Sequence, residues 1–152
     1  MLNGKYVFSD ILEKRVKRGG KLFFLIAILG AVNSLIVNYT DGYANFFVGL
    51  GFVQISDGLS QYFKYYYEGV FPLSVSFNVL FILLFVLIGI RVMKHSLRFF
   101  LLGMILYFVD SVIFLAYLEG KSFFFHVIIL CFMLYYGFWL FQLKKKEQEQ
   151  NK

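Results

Sequence analysis

The sequence predicts an all-α, polytopic membrane protein with four transmembrane helices and one additional outer-face helix, either amphipathic or re-entrant. Hydrophobic residues make up 60% of the 152 residues and aromatic residues 22%, well above the roughly 45–50% apolar share of soluble domains. Several stretches of about 18 or more residues carry no charge, which is the signature of membrane-spanning helices. At this length, a single domain is expected.

Residues 1–21 are polar and basic and are predicted to form a cytoplasmic segment. The apolar run that follows, 22–37, is long for the hydrophobic region of a signal peptide, and no small-x-small cleavage site comes after it. We therefore expect an uncleaved first span at residues 22–38. Apolar residues recur at roughly helical spacing within 5–17, which leaves two interpretations: a helix on the membrane surface or a solvated tail.

The extra helix is predicted within residues 45–66. The charge-free part of this region, 42–56, is too short to span a bilayer. Helical spacing places Val48, Phe52 and Leu59 on one face and Asp57 and Gln61 on another. This pattern favours an amphipathic helix on the outer surface that caps the bundle, with a re-entrant hairpin as the alternative.

Three further spans complete the predicted transmembrane domain of residues 22–143. They are expected at 70–90, 97–118 and 122–143, and the last is followed by a cytoplasmic tail, 144–152, that begins with three lysines. Pro72 fits the first turn of its helix, where a missing N–H costs nothing.

The distribution of Lys and Arg predicts the orientation. Thirteen of the 15 basic residues lie in the N-terminal segment, the link between the second and third spans, and the tail; the other two are Lys64 and Lys121. By the positive-inside rule both termini face the cytoplasm. We expect a multi-pass protein of the bacterial cytoplasmic (inner) membrane.

Polar residues on four predicted helices fall in the outer half of the membrane. Asp110 is the most costly of them, since a carboxylate at membrane depth needs a partner. Either the polar groups form interhelical hydrogen bonds that fix register, or they line a pocket open to the outside. The candidate pocket residues are Asn33, Asp57, Asn78, Tyr107, Asp110 and His126.

Asp110 and His126 are the closest candidates for a functional pair, because a tight turn joins their helices. Counted from Gly120, the two residues differ in depth by roughly 6 Å of helical rise. Contact would need a long reach, a water molecule or a tilted helix. Tyr107, three residues before Asp110, is an alternative hydrogen-bond partner for the carboxylate.

Several chemistries find no support in the sequence. A single cysteine, Cys131, excludes a C-x-x-C pair, and His95 and His126 are predicted on opposite membrane faces, which excludes bis-histidine haem. No catalytic motif is found. We expect no enzyme, no catalytic residue, no metal site, no cofactor and no nucleic-acid partner. The expected partners are the lipid bilayer and either a second copy of the chain or another membrane protein.

Five short segments resemble a pattern seen in small uncharacterised bacterial four-helix inner-membrane proteins. They are Asn33-Ser34, FVGLGFVQ at 47–54, Asp57, YFVD at 107–110 and Phe125-His126. The resemblance implies that Asn33, Asp57, Asp110 and His126 belong to one site, and it implies no activity.

Three functional hypotheses follow from the sequence. The first is a non-enzymatic structural or accessory membrane component that acts through helix contacts. The alternative is a small proton-coupled transporter or carrier, with a polar outer-leaflet pocket around Asp110 and His126. An intramembrane enzyme acting on a lipid, with these two residues as acid and base, is the third.

Overall fold

The structure, a computed structural model, describes residues 3–40, 49–64, 66–67, 70–116 and 120–150. They form five helices: α1 (Asn3–Tyr39), α2 (Gly51–Phe63), α3 (Val70–Met93), α4 (Leu97–Ala116) and α5 (Gly120–Gln150). The predicted all-α class is confirmed. Four of the helices, α1, α3, α4 and α5, are long and apolar enough to cross a membrane, so the chain is a multi-pass membrane protein.

The four long helices alternate in direction. One end of the bundle, here called the polar end, holds Tyr39, Val70, Ala116 and Gly120, and the opposite end holds the turn between Met93 and Leu97. Large apolar side chains point outward along all four helices, as a lipid environment requires. Residues 45–48, 65, 117 and 118, which belong to the predicted extra helix and third span, lie outside the described residues.

The predicted basic segment is part of α1 and not a separate element. The helix continues unbroken from Asn3 through the first span, and Leu12 and Val16 are fully buried. The guanidinium of Arg15 lies 3.9 Å from the centre of the Trp139 ring and donates a hydrogen bond to the Tyr135 hydroxyl at 3.1 Å. These contacts pack α1 at Arg15 against α5 at Tyr135 and Trp139.

Helices α1 and α3 are in close contact at two glycines, Gly20 and Gly89. A Cβ atom built on Gly20 would lie 2.9 Å from the carbonyl oxygen of Gly89, and a Cβ on Gly89 would lie 2.9 Å from that of Gly20. Neither position therefore accommodates a side chain unless the helices move apart. Further along α1, Gly30 packs against Leu50, just before α2.

Helix α2 begins inside the bundle. Leu50 contacts α1 at Gly30, about 14 Å of helical rise below Tyr39, and Gly51 contacts α4 at Asp110 and Phe114. Its later residue Asp57 contacts Asn38, near the polar end. The helix thus rises steeply from the interior toward the polar end. These contacts favour the re-entrant alternative over a helix lying across the end of the bundle.

Candidate functional site

Asp110 caps the buried start of α2. The N–H of Gly51 donates to Oδ2 of Asp110 and the N–H of Phe52 donates to Oδ1, both at 2.9 Å. The first N–H groups of any helix have no partner within the helix, and the residue at the N-cap, Leu50, makes no side-chain cap hydrogen bond. A carboxylate from a distant helix therefore does what a local Ser, Thr, Asn or Asp usually does.

The same carboxylate contacts His126 on α5. Oδ2 of Asp110 lies 3.2 Å from Nε2 of the ring, and both side chains are fully buried. Nδ1 of the ring lies 2.8 Å from the carbonyl oxygen of Ser122. Because a carbonyl only accepts, Nδ1 carries a hydrogen. A hydrogen bond between Nε2 and Oδ2 therefore requires one further proton shared by His126 and Asp110.

Asp110 acts as an acceptor at the start of α2. Its two oxygens accept two backbone N–H groups at a helix N-terminus, where the helix dipole favours negative charge. The contact with Nε2 of His126 adds a third interaction to the same carboxyl group, and the proton between Nε2 and Oδ2 belongs to the pair.

Two aromatic rings of α4 enclose His126. The Tyr107 ring is stacked at 4.8 Å between centroids with an interplanar angle of 15°, and the Phe114 centroid is 4.6 Å away. Tyr107, Asp110 and Phe114 lie on one face of α4 at helical spacing. The prediction for Tyr107 as a hydrogen-bond donor to Asp110 finds no support among the described contacts, since the donors shown are Gly51, Phe52 and His126. The ring of Tyr107 instead stacks on the histidine.

The depth difference expected between Asp110 and His126 does not prevent their contact. Oδ2 of Asp110 lies 3.2 Å from Nε2 of His126, so the two side chains meet directly and need no bridging water.

Asp57 is the centre of a second group, here called the amide cluster: Asp57, Asn38, Asn78, Gln61 and Ser34. Oδ1 of Asp57 accepts hydrogen bonds from Nδ2 of Asn38 at 2.9 Å and from Nδ2 of Asn78 at 2.7 Å. Asn78 also donates to the Ser34 hydroxyl at 3.2 Å, and Gln61 donates to Oδ1 of Asn38 at 3.3 Å. The cluster ties α2 to α1 and α3.

The two carboxylate oxygens of Asp57 differ in their hydrogen bonding. Within the described part of the chain, Oδ2 is buried and has no hydrogen-bond partner, and the same holds for Oδ1 of Asn78. Burial raises the pKa of Asp57 above its ordinary value, while hydrogen bonds from the neutral side chains of Asn38, Ser34 and Asn78 act in the opposite direction. Among the described contacts, the hydrogen-bond donors to the Asp57 carboxyl group are thus neutral, and one of its two oxygens has no donor.

The six predicted pocket residues are all buried, but they separate into two groups. In the first group, Asp110 contacts the start of α2, His126 contacts Asp110 and Tyr107 stacks on His126. Asn33 packs against Gly49 just before the helix. Asp57 and Asn78 belong to the amide cluster, about 9 Å further along α2.

A groove of about 530 Å³ opens between α2 and α3. Its walls are mainly apolar, with Phe52, Leu59 and Phe77 among the residues that line it. On the groove wall, the Ser74 hydroxyl donates its hydrogen to the carbonyl oxygen of Ser56 at 3.0 Å. Because a hydroxyl has one hydrogen, the 2.9 Å bond between the two hydroxyl groups is donated by Ser56 to Ser74 Oγ. Among the residues described, none of the six predicted pocket residues is part of the groove lining.

Sequence reasoning missed several residues of the site. Asn38 and Gln61 link the amide cluster, and Phe114 covers one face of His126. Spacing offered a signal for two of them, because Asn38 lies four residues after Ser34 and Gln61 four residues after Asp57, so each pair shares a helix face.

In the described ranges, no group of three or more His, Cys, Asp and Glu side chains is placed to hold a metal ion. No protein-family model matches the chain, and comparisons with curated proteins and with solved structures give no match. The resemblance to small four-helix membrane proteins therefore stays a prediction.

Proposed function

We propose that this chain is a non-enzymatic structural or accessory membrane protein, in which the buried polar residues hold α2 inside the bundle. The observation that carries this proposal is the use of Asp110. Both carboxylate oxygens accept backbone N–H groups of α2, and one also contacts His126. Asp110, Gly51 and His126 are buried, and Phe52 is half-buried. A carboxylate engaged in this way is a structural anchor, since a proton donor or nucleophile has to reach its substrate.

The proposal includes a location and an orientation. In the predicted topology, 13 of the 15 Lys and Arg residues lie on one side of the membrane. By the positive-inside rule, this distribution supports a protein of the bacterial inner membrane with both termini in the cytoplasm. The outward apolar faces of the four long helices support contacts with lipid and with a second copy of the chain or another membrane protein. An accessory component would act through these apolar faces.

Substitution of Asp110 tests the proposal. Asp110→Asn retains one acceptor oxygen for an α2 N–H, whereas Asp110→Leu leaves two buried N–H groups without a partner, each costing about 1–3 kcal/mol. We expect a graded loss of thermal stability in detergent, with Leu worse than Asn and an exposed control, Asp10→Asn, unchanged. A stable, correctly assembled Asp110→Asn protein that loses a pH-dependent flux in proteoliposomes would contradict the structural role.

A second candidate is the small proton-coupled carrier. It is favoured by one observation, the half-satisfied carboxyl group of Asp57, because ionisable groups buried in membrane proteins often mark ion and proton pathways. A carrier would show proton uptake into wild-type vesicles that Asp57→Asn abolishes. An accessory protein would show no such uptake.

A further inference from the structure

Four buried oxygen atoms around Asp57 have no hydrogen-bond partner within the described residues. They are Oδ2 of Asp57, Oδ1 of Asn78, Oε1 of Gln61 and Oγ of Ser60. Asp57, Asn78 and Ser60 are 0%, 3% and 1% exposed. An unsatisfied buried polar group costs about 1–3 kcal/mol, so four such atoms in one region call for a ligand.

These atoms lie in one region of the fold. Asn78 bonds directly to Asp57 at 2.7 Å. Ser60 and Gln61 lie three and four residues after Asp57 on α2, and residues at this spacing are neighbours on a helix surface. Gln61 is also joined to Asp57 through Asn38. Three of the four side chains thus belong to one hydrogen-bonded network, and the fourth is a turn away on the same helix.

The type of atom indicates the type of ligand. All four are oxygens. Those of Asp57, Asn78 and Gln61 can only accept, and the Ser60 hydroxyl is the one donor among them, so an anion would face three acceptors. Carboxylate, amide and hydroxyl oxygens are the ligands of hard cations. The cluster has a single carboxylate, whereas protein sites for divalent ions gain affinity from several. A single positive charge matches the site.

We infer that Asp57, Asn78, Gln61 and Ser60 bind a hard monovalent cation such as Na⁺ where α2 meets α1 and α3. The cation neutralises the buried carboxylate and occupies acceptors that the helices leave unpaired. This site is separate from the Asp110–His126 pair, and it stands whether or not Asp110 is a structural anchor. Helix α2 is then held at two points: at its first turn by Asp110, and around Asp57 by a bound ion.

Thermal unfolding of the full-length protein in detergent tests the inference. Samples at pH 7.5 in NaCl, LiCl, KCl or choline chloride are compared at constant ionic strength, with the fluorescence of Trp139, the one tryptophan, as the signal. A bound cation raises the melting temperature with a saturable concentration dependence. We expect this rise in Na⁺ but not in choline, its loss in Asp57→Asn, and its retention in the exposed control Asp10→Asn.

Two additional measurements keep the test decisive. Gln61→Met removes one ligand and leaves the carboxylate, and it should raise the half-saturating Na⁺ concentration about tenfold. Line broadening of ²³Na by wild-type protein, abolished by excess Li⁺, measures binding without any variant. Equal melting temperatures in all four salts together with absent broadening would overturn the inference, as would a response to pH alone, which would indicate a proton at Asp57.

Discussion

Oδ2 of Asp110 lies 3.2 Å from Nε2 of His126, and the same oxygen accepts the N–H of Gly51. One carboxylate on α4 therefore connects α5 to the first turn of α2. The contact is closed to solvent and enclosed by the rings of Tyr107 and Phe114. Three helices, α2, α4 and α5, are joined by one buried carboxylate. Small changes to Asp110 or His126 should therefore have large effects.

Removing His126 alone should be more harmful than removing the pair. His126→Phe preserves an aromatic ring between Tyr107 and Phe114 but leaves the Asp110 carboxyl group without its partner on α5. Breaking a buried pair in this way costs about 3–5 kcal/mol. Adding Asp110→Asn removes the stranded charge and should recover part of that loss. Denaturant unfolding of the two single variants and the double variant measures the coupling; additive effects would show that the two residues do not interact.

Asp57 should make stability fall as pH rises. Its pKa in the folded protein is raised by burial, so the folded state favours the protonated form. This contribution is fully present below the unfolded pKa and is lost as pH rises through the folded one. In choline chloride, we expect the melting temperature to decline over this interval.

The Asp57→Asn variant provides the control for this pH dependence, because its side chain stays neutral at every pH. Its melting temperature should decline less than that of wild type across the same interval, while Asp10→Asn should behave as wild type. A wild-type stability that rises with pH, and whose rise Asp57→Asn removes, would show that the carboxylate is stabilised in the folded state.

The crossing of α1 and α3 should not tolerate a methyl group. Gly20→Ala or Gly89→Ala places a Cβ 2.9 Å from the carbonyl oxygen of the facing glycine, so the helices have to separate and lose packing. Overpacking of this kind costs about 1–3 kcal/mol. Gly58 is the matched control, because a Cβ there meets nothing within 4 Å and Gly58→Ala should stabilise α2 by up to about 1 kcal/mol. Equal effects at all three glycines would contradict the close crossing.

Much of the fold could be predicted because hydropathy reports burial in lipid directly. Four apolar runs predict four spans, and four of the helices in the described residues are long and apolar enough to cross a membrane. The extents of α1 and α5 could not be predicted in this way, because both helices continue into polar sequence. There, single contacts such as Arg15 on Trp139 hold them together, and apolar runs do not report such contacts.

The site was harder to predict than the fold. The cost of a buried charge indicated that Asp110 needs a partner, and His126 was a reasonable candidate. The two partners on α2 are backbone N–H groups 58 and 59 residues away in sequence, and a backbone donor leaves no mark in a sequence. The steep path of α2 depends on these bonds, so periodicity alone favoured a helix lying on the surface.

The most direct test of the account is a disulfide between α1 and the residue that precedes α2. A Cβ on Gly30 would lie 3.7 Å from the Cβ of Leu50, which is close to the usual Cβ separation in disulfides. In a Cys131→Ala background, Gly30→Cys with Leu50→Cys should form this bond on mild oxidation. The resulting protection from a maleimide–polyethylene glycol gel shift should be reversed by reductant.

The control pair Gly30→Cys with the exposed Leu59→Cys should stay reactive. Protection in the first pair alone is the result expected if α2 begins inside the bundle. Full reactivity of both pairs would show that the start of α2 lies elsewhere, and would contradict the anchoring role of Asp110.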